Sequence, residues 1–126
     1  MSDTTGSTVT FDRLKAFIHA AMVRLGLPDS DAAIVAALMA QADLQGSDGH
    51  GIGRLPQYAR RIKAGGFNVR PNIRVVREQA STALINGDNG MGHLVMSRAT
   101  EIAIEKAKVT GKIGRASCRE RVLELV

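Results

Sequence analysis

The sequence predicts a mixed α/β (α+β) fold: an N-terminal helical region, then a short β-hairpin and one further helix. Three observations carry this. Apolar residues recur at helical spacing over Phe11–Leu25, over Ala32–Ala40 and again after Gly92. Two short runs, Ile73–Arg77 and Ser81–Asn86, read as strands. Glycines punctuate the joins between these segments.

The first helix starts at Phe11 with Thr10 as its cap, and sets Phe11, Leu14, Phe17, Ile18, Ala21, Met22 and Leu25 on one face. Gly26 ends it and Pro28 blocks continuation. Asp29 or Ser30 caps a second helix, apolar almost all round and therefore expected to be central and well buried. Gly46 ends that helix. Gly46–Gly53 (GSDGHGIG) holds four glycines in eight residues, which no good helix interior tolerates, so it reads as a tight loop around His50. A third helix places Leu55, Tyr58 and Ile62 together and stops at Gly65–Gly66. Phe67–Pro71 is expected to be extended, followed by the two strands. The GDNGMG loop (Gly87–Gly92) leads into a fourth helix from about His93 to Thr110. That helix buries Val95 or Met96, Ala99, Ile102, Ala103 and the stem of Lys106, and Gly111 closes it. No strand is predicted after Gly111, which leaves a two-stranded sheet, marginal by itself.

Composition narrows the function classes. With 126 residues there is room for one modest domain, and a hydrophobic share of 44% argues against disorder along the whole length. No apolar run approaches the ~20 residues of a membrane span, and no signal peptide opens the chain. A lone cysteine, Cys118, makes no internal disulfide, so a reducing cytoplasm is expected. The net charge of +5 invites an anionic partner. Seven basic residues and no acid lie between Arg54 and Arg77, which keeps a non-enzymatic basic helical module binding nucleic acid as the alternative reading. Aromatics at 3%, without tryptophan, weigh against base stacking.

Among candidate functional residues His50 leads. Gly49 and Gly51 let its backbone approach a ligand and leave the ring uncovered, and imidazole exchanges protons near neutral pH. The alternative is a turn histidine bonded to a helix end. Arg54, four residues on, can face the same cavity, and its guanidinium is a natural fork for a carboxylate; otherwise it is surface charge. Tyr58 continues that face, either adding a hydroxyl or packing as a half-buried aromatic. Asp43, Asp48 and His50 match no established metal motif, and no metal is expected. His19 is expected to face solvent and His93 to pack in the first turn of its helix. Gly90-x-Gly92-x-x-Val95 is only a partial phosphate-loop pattern, equally explained by a tight turn.

Ala42-Asp43-Leu44-Gln45-Gly46-Ser47-Asp48-Gly49-His50-Gly51-Ile52-Gly53-Arg54-Leu55-Pro56-Gln57-Tyr58, then Arg61–Gly66 with Asn68, then Ala83–Gly92, together resemble the N-terminal part of the malate/L-lactate dehydrogenase family, the non-Rossmann type. The resemblance runs from about Phe11 to Gly111. It implies an incomplete part of that family's fold and hydride transfer between NAD(P)H and a 2-oxo, 2-hydroxy or cyclic imino acid. It implies that His50 exchanges the proton at the carbonyl oxygen, that Arg54 clamps the substrate carboxylate and that Tyr58 lines the site. It further implies NAD or NADP as cofactor, with most binding residues beyond this segment and none assigned here, and a cytoplasmic homodimer with a small acid substrate and no nucleic-acid or membrane partner. The serine usual before the histidine is Gly49 here.

Four segments are expected: a flexible lead-in (1–9), a helical substrate and catalytic side (10–66), the start of a sheet-containing domain (67–112) and a tail (113–126). Ile113–Val122 (IGRASCRERV) reads like translated sequencing adapter, so native sequence is expected to end near Lys112 and the segment to be inactive alone.

Overall fold

The computed structural model describes residues 8–111, and the backbone at 116–119 and 122–125. The chain divides into two compact units, residues 1–58 and 59–126. The lead-in expectation therefore falls mostly outside the described residues; Thr8 and Val9 are exposed and without regular structure.

In the first unit, α1 (Phe11–Arg24) and α2 (Asp29–Leu44) pack along each other. Thr10 is the cap of α1 by position, but its hydroxyl makes no capping bond; its carbonyl receives the Leu14 N–H. Gly26, at φ 102°, turns the chain where a side chain would be strained. α2 begins at Asp29, one or two residues earlier than a cap at Asp29 or Ser30 implies, with Pro28 as its cap and Asp29 and Asp31 in the first turn, where carboxylates complement the helix dipole. Ile18 and Met22 of α1, and Val35, Ala36, Met39 and Ala40 of α2, are buried.

The expectation that α2 is buried all round fails. Ile34 (38%), Leu38 (43%) and Leu44 (67%) are exposed, because α2 turns a single stripe, small at Ala32, Ala36 and Ala40, toward α1. Phe17, placed on the apolar face of α1, is likewise 62% exposed. His19 does not simply face solvent. Its Nε2 lies 3.1 Å from the Asp29 carboxylate and 3.3 Å from the Asp29 carbonyl, tying α1 to the start of α2.

A single 3-10 turn (Ile52–Arg54) follows the glycine loop and runs into α3 (Leu55–Lys63), which crosses the boundary between the units. Gly65, at φ 72°, ends it.

The second unit is a sheet with one helix on it. β1 (Arg74–Glu78) pairs antiparallel with β2 (Ala83–Asn86), with a bulge between Val75 and Arg77. β1 is exposed throughout, as befits an edge strand. β2 alternates, and its inward Ala83 and Ile85 pack on Val95, Ala99, Ile102 and Ala103 of α4 (Gly92–Thr110). Lys106 joins helix to hairpin by an ion pair to Glu78 at 3.0 Å and a bond to the Gln79 carbonyl at 2.8 Å. Gly111, at φ 68°, caps α4 as expected.

Two further strands lie where none was predicted. β3 (Ala116–Arg119) and β4 (Val122–Leu125) extend the sheet in the order β1-β2-β4-β3, all antiparallel. The pairing gives the second edge of β2 backbone partners, which a two-stranded hairpin would lack. The remainder of the expected tail lies outside the described residues.

Residues 67–71 bend rather than run extended, and the reason is a polar knot. One Asp88 oxygen accepts both the Asn68 side-chain amide (2.8 Å) and the Asn72 N–H (2.9 Å). Asn89 gives its side-chain amide to the Gly66 carbonyl at 3.2 Å, while its own carbonyl accepts the Asn68 N–H at 2.9 Å. Asp88 and Asn89 both adopt the left-handed conformation, at φ 49° and 54°. Asp88→Ala removes both bonds and the short polar side chain that makes the left-handed conformation tolerable, so a loss of about 1–3 kcal/mol is expected in urea unfolding.

Candidate active site

The loop from Gly46 to Arg54 leaves α2 through Gly46 at φ 75°, and the His50 N–H closes a turn onto the Ser47 carbonyl at 2.8 Å. The His50 ring is exposed. Beside it Gly51 is buried, and a β-carbon there would run into the Asp43 carboxyl group, which would have to move aside. Asp43 Oδ2 accepts the Ile52 N–H at 2.7 Å.

Arg54 is also exposed. Instead of standing free, its guanidinium folds back on the loop: Nε donates to the Gly49 carbonyl at 2.6 Å, and Nη1 donates to Gln57 Oε1 at 2.7 Å. A guanidinium carries five N–H donors, so the Nη2 end and one Nη1 hydrogen keep donors for a further acceptor. Tyr58 is half-buried on α3, one turn beyond Arg54. The structure thus joins Arg54 to the residue preceding His50, and places Tyr58 next along the same helical path.

Sequence reasoning missed Asp43 and Gln57 as structural partners of this loop. The legible signal was Gly51, a glycine with a carboxylate eight positions upstream at a helix end. Around Gly49 a β-carbon would meet nothing within 4 Å, so packing does not dictate glycine where a serine is usual.

Other candidates carry less. Among the described residues no group of three or more His, Cys, Asp or Glu side chains stands together. His93 is half-buried in the first turn of α4. The GDNGMG loop spends its polar groups on the knot, and β-carbons at Gly87 and Gly90 would press on Val95 and Pro71 at 2.8 Å. Within the basic stretch, Arg61 lies over the Phe67 ring at 4.5 Å, and Arg54 is engaged as above. A surface cavity is lined by Arg77, Glu78, Gln79, Thr82, Ala83 and Leu84, none of them a candidate. No helix among the described residues is long and apolar enough to cross a membrane.

Comparison with known proteins gives the chain its relatives. The malate dehydrogenase of Pyrococcus horikoshii is 49% identical over 100 residues, which is 79% of this chain and 28% of that protein. Its solved structure superposes with a TM-score of 0.81 at 48% identity, covering 83% of this chain and 30% of that one. The L-sulfolactate dehydrogenase of Methanocaldococcus jannaschii is 44% identical over 97 residues, 77% of this chain and 28% of that protein. The chain therefore spans less than a third of the length of the curated relatives it matches. The description of malate/L-lactate dehydrogenases as a family matches residues 9–121, and the chain belongs to the malate/L-lactate dehydrogenase family.

Proposed function

We propose that this segment supplies the proton-transfer and carboxylate-binding side of an oxidoreductase that interconverts 2-oxo and 2-hydroxy acids, or reduces cyclic imino acids. The observation that carries the reading is the bond from Arg54 Nε to the Gly49 carbonyl, which ties a carboxylate fork to the peptide before His50. The remaining guanidinium donors hold the substrate carboxylate and so fix which face of C2 is presented. Reduction at C2 turns the keto oxygen into an alkoxide, and the His50 imidazolium gives it a proton; in the reverse direction neutral His50 takes the hydroxyl proton. Tyr58 lines the acid-binding side.

The hydride comes from NAD or NADP held by residues outside this segment, in a protein of the relatives' length. A homodimer in the cytoplasm accompanies this reading and rests on the family alone. The exposure of His50 and Arg54 agrees with a site completed by further chain. Nothing in the structure or the relatives favours the nucleic-acid reading.

The test is a chimera in which Phe11–Gly111 replaces the matched segment of the Pyrococcus horikoshii malate dehydrogenase. NAD(P)H oxidation with oxaloacetate, pyruvate or a cyclic imino acid is expected, and a folded chimera inactive with all three contradicts the reading. In that chimera Arg54→Lys keeps the charge but loses the fork, so KM for the keto acid is expected to rise about 10- to 100-fold with kcat much less affected.

A further inference from the structure

We propose that Asp43 is the positioning residue of His50, holding the imidazole in place through Gly51 and Ile52. The inference rests on the reading of His50 as the proton-transfer group.

Asp43 lies in the last turn of α2, where a carboxylate opposes the helix dipole, and no basic residue in that turn compensates it. The position is thus unfavourable for the helix itself. Its carboxylate instead reaches the loop, accepting the N–H of Ile52, the first residue of the 3-10 turn. That N–H has no partner within the turn, and Asp43 satisfies it as a cap would. The loop also lies directly against the carboxyl group: Gly51 is buried there, and its missing β-carbon is the space Asp43 fills.

On the other side of His50, Gly49 is held by Arg54 Nε at 2.6 Å. Both peptide neighbours of the histidine are therefore anchored, one by an anion from α2 and one by the guanidinium that binds substrate. His50 itself is exposed, so its location is set by the backbone beneath it and not by packing of the ring. Anchoring both flanks reduces the freedom the ring would otherwise lose at each turnover.

The experiment follows the 126-residue chain by NMR, reading amide exchange at Ile52 and ring-carbon relaxation at His50. Asp43→Ala is expected to lower Ile52 protection about 10-fold or more and to raise His50 ring mobility, while Val35 and Met39 amides in α2 keep theirs. Asp43→Asn, which retains an oxygen acceptor, is expected to restore most of the ring order. Gly51→Ala must displace the carboxylate and is expected to reproduce the Asp43→Ala signature by an independent route, which keeps the test open if Asp43→Ala does not fold. Unchanged His50 relaxation in Asp43→Ala or Gly51→Ala overturns the proposal, even where α2 frays.

Kinetics in the chimera separate the two claims. Asp43→Ala is expected to lower kcat about 10-fold with KM changed far less, the reverse of the Arg54→Lys pattern. A normal kcat in Asp43→Ala beside an inactive His50→Asn rejects the positioning role alone. Normal turnover in His50→Asn rejects the reading beneath it.

Discussion

His50→Asn in the chimeric enzyme is expected to lower kcat about 10²- to 10⁴-fold, the range by which a positioned acid–base group accelerates proton transfer. Asparagine is close to imidazole in size and keeps an N–H that can bond the substrate oxygen. The backbone bond from residue 50 to the Ser47 carbonyl does not involve the side chain and should survive. Binding of the acid should therefore change little, and KM is expected to stay within a few-fold. What is lost is the ability to deliver and recover a proton near neutral pH. Steady-state rates, with circular dichroism to verify folding, check this. A kcat within about threefold of the parent removes His50 from proton transfer.

Met39→Ala is expected to cost about 2–5 kcal/mol, the usual range for truncating a fully buried methionine. Met39 is 0% exposed and lies on the stripe of α2 that meets α1. The same unit buries Val35 and the alanines at positions 32, 36 and 40 on α2, and Ile18 and Met22 on α1. Met39 also precedes Asp43 by one helical turn, so loosening the α2 end should lower Ile52 amide protection as well. Urea unfolding measures the first effect and hydrogen exchange the second. Loss of less than about 1 kcal/mol would mean that the α1–α2 contact is not the core of its unit.

The sequence was most readable where local chemistry decides structure. Gly26, Gly46, Gly65 and Gly111 all adopt positive φ, and each ends a helix where its position foretold. Most of the inner face of α4 was legible from its spacing, at Ala99, Ile102, Ala103 and the half-buried Lys106, while the buried Leu94 was not. Reading failed where long-range pairing decides. An all-apolar helix looks central from composition, but α2 buries only the stripe its partner covers, leaving Ile34 and Leu38 exposed. No local signal announced that Asp88, in a glycine-rich turn, would hold Asn68 and Asn72 across a gap of sixteen to twenty residues. The strands at Ala116–Arg119 and Val122–Leu125 form by ladder pairing, β3 on the neighbouring β4 and β4 on β2 some forty residues earlier.

The candidate site was legible in part. Histidine and arginine four residues apart around glycines pointed to acid–base and carboxylate chemistry, and the structure links Arg54 to the loop that carries His50. The supports were not legible. From sequence Asp43 is weighed only as a metal ligand beside Asp48 and His50, and Gln57 carries no reading of its own. Only the fold shows that one fills the space over Gly51 and the other holds Nη1 of Arg54.

The most direct measurement is a crystal structure of the chimera with its nicotinamide cofactor and oxamate, a non-reducible analogue of a 2-oxo acid. The account predicts the oxamate carboxylate on the Nη edge of Arg54, and a His50 ring nitrogen about 2.7–3.2 Å from the neighbouring amide oxygen. Oxamate bound beside the cofactor but clear of both side chains, with His50 still turned to solvent, would contradict it.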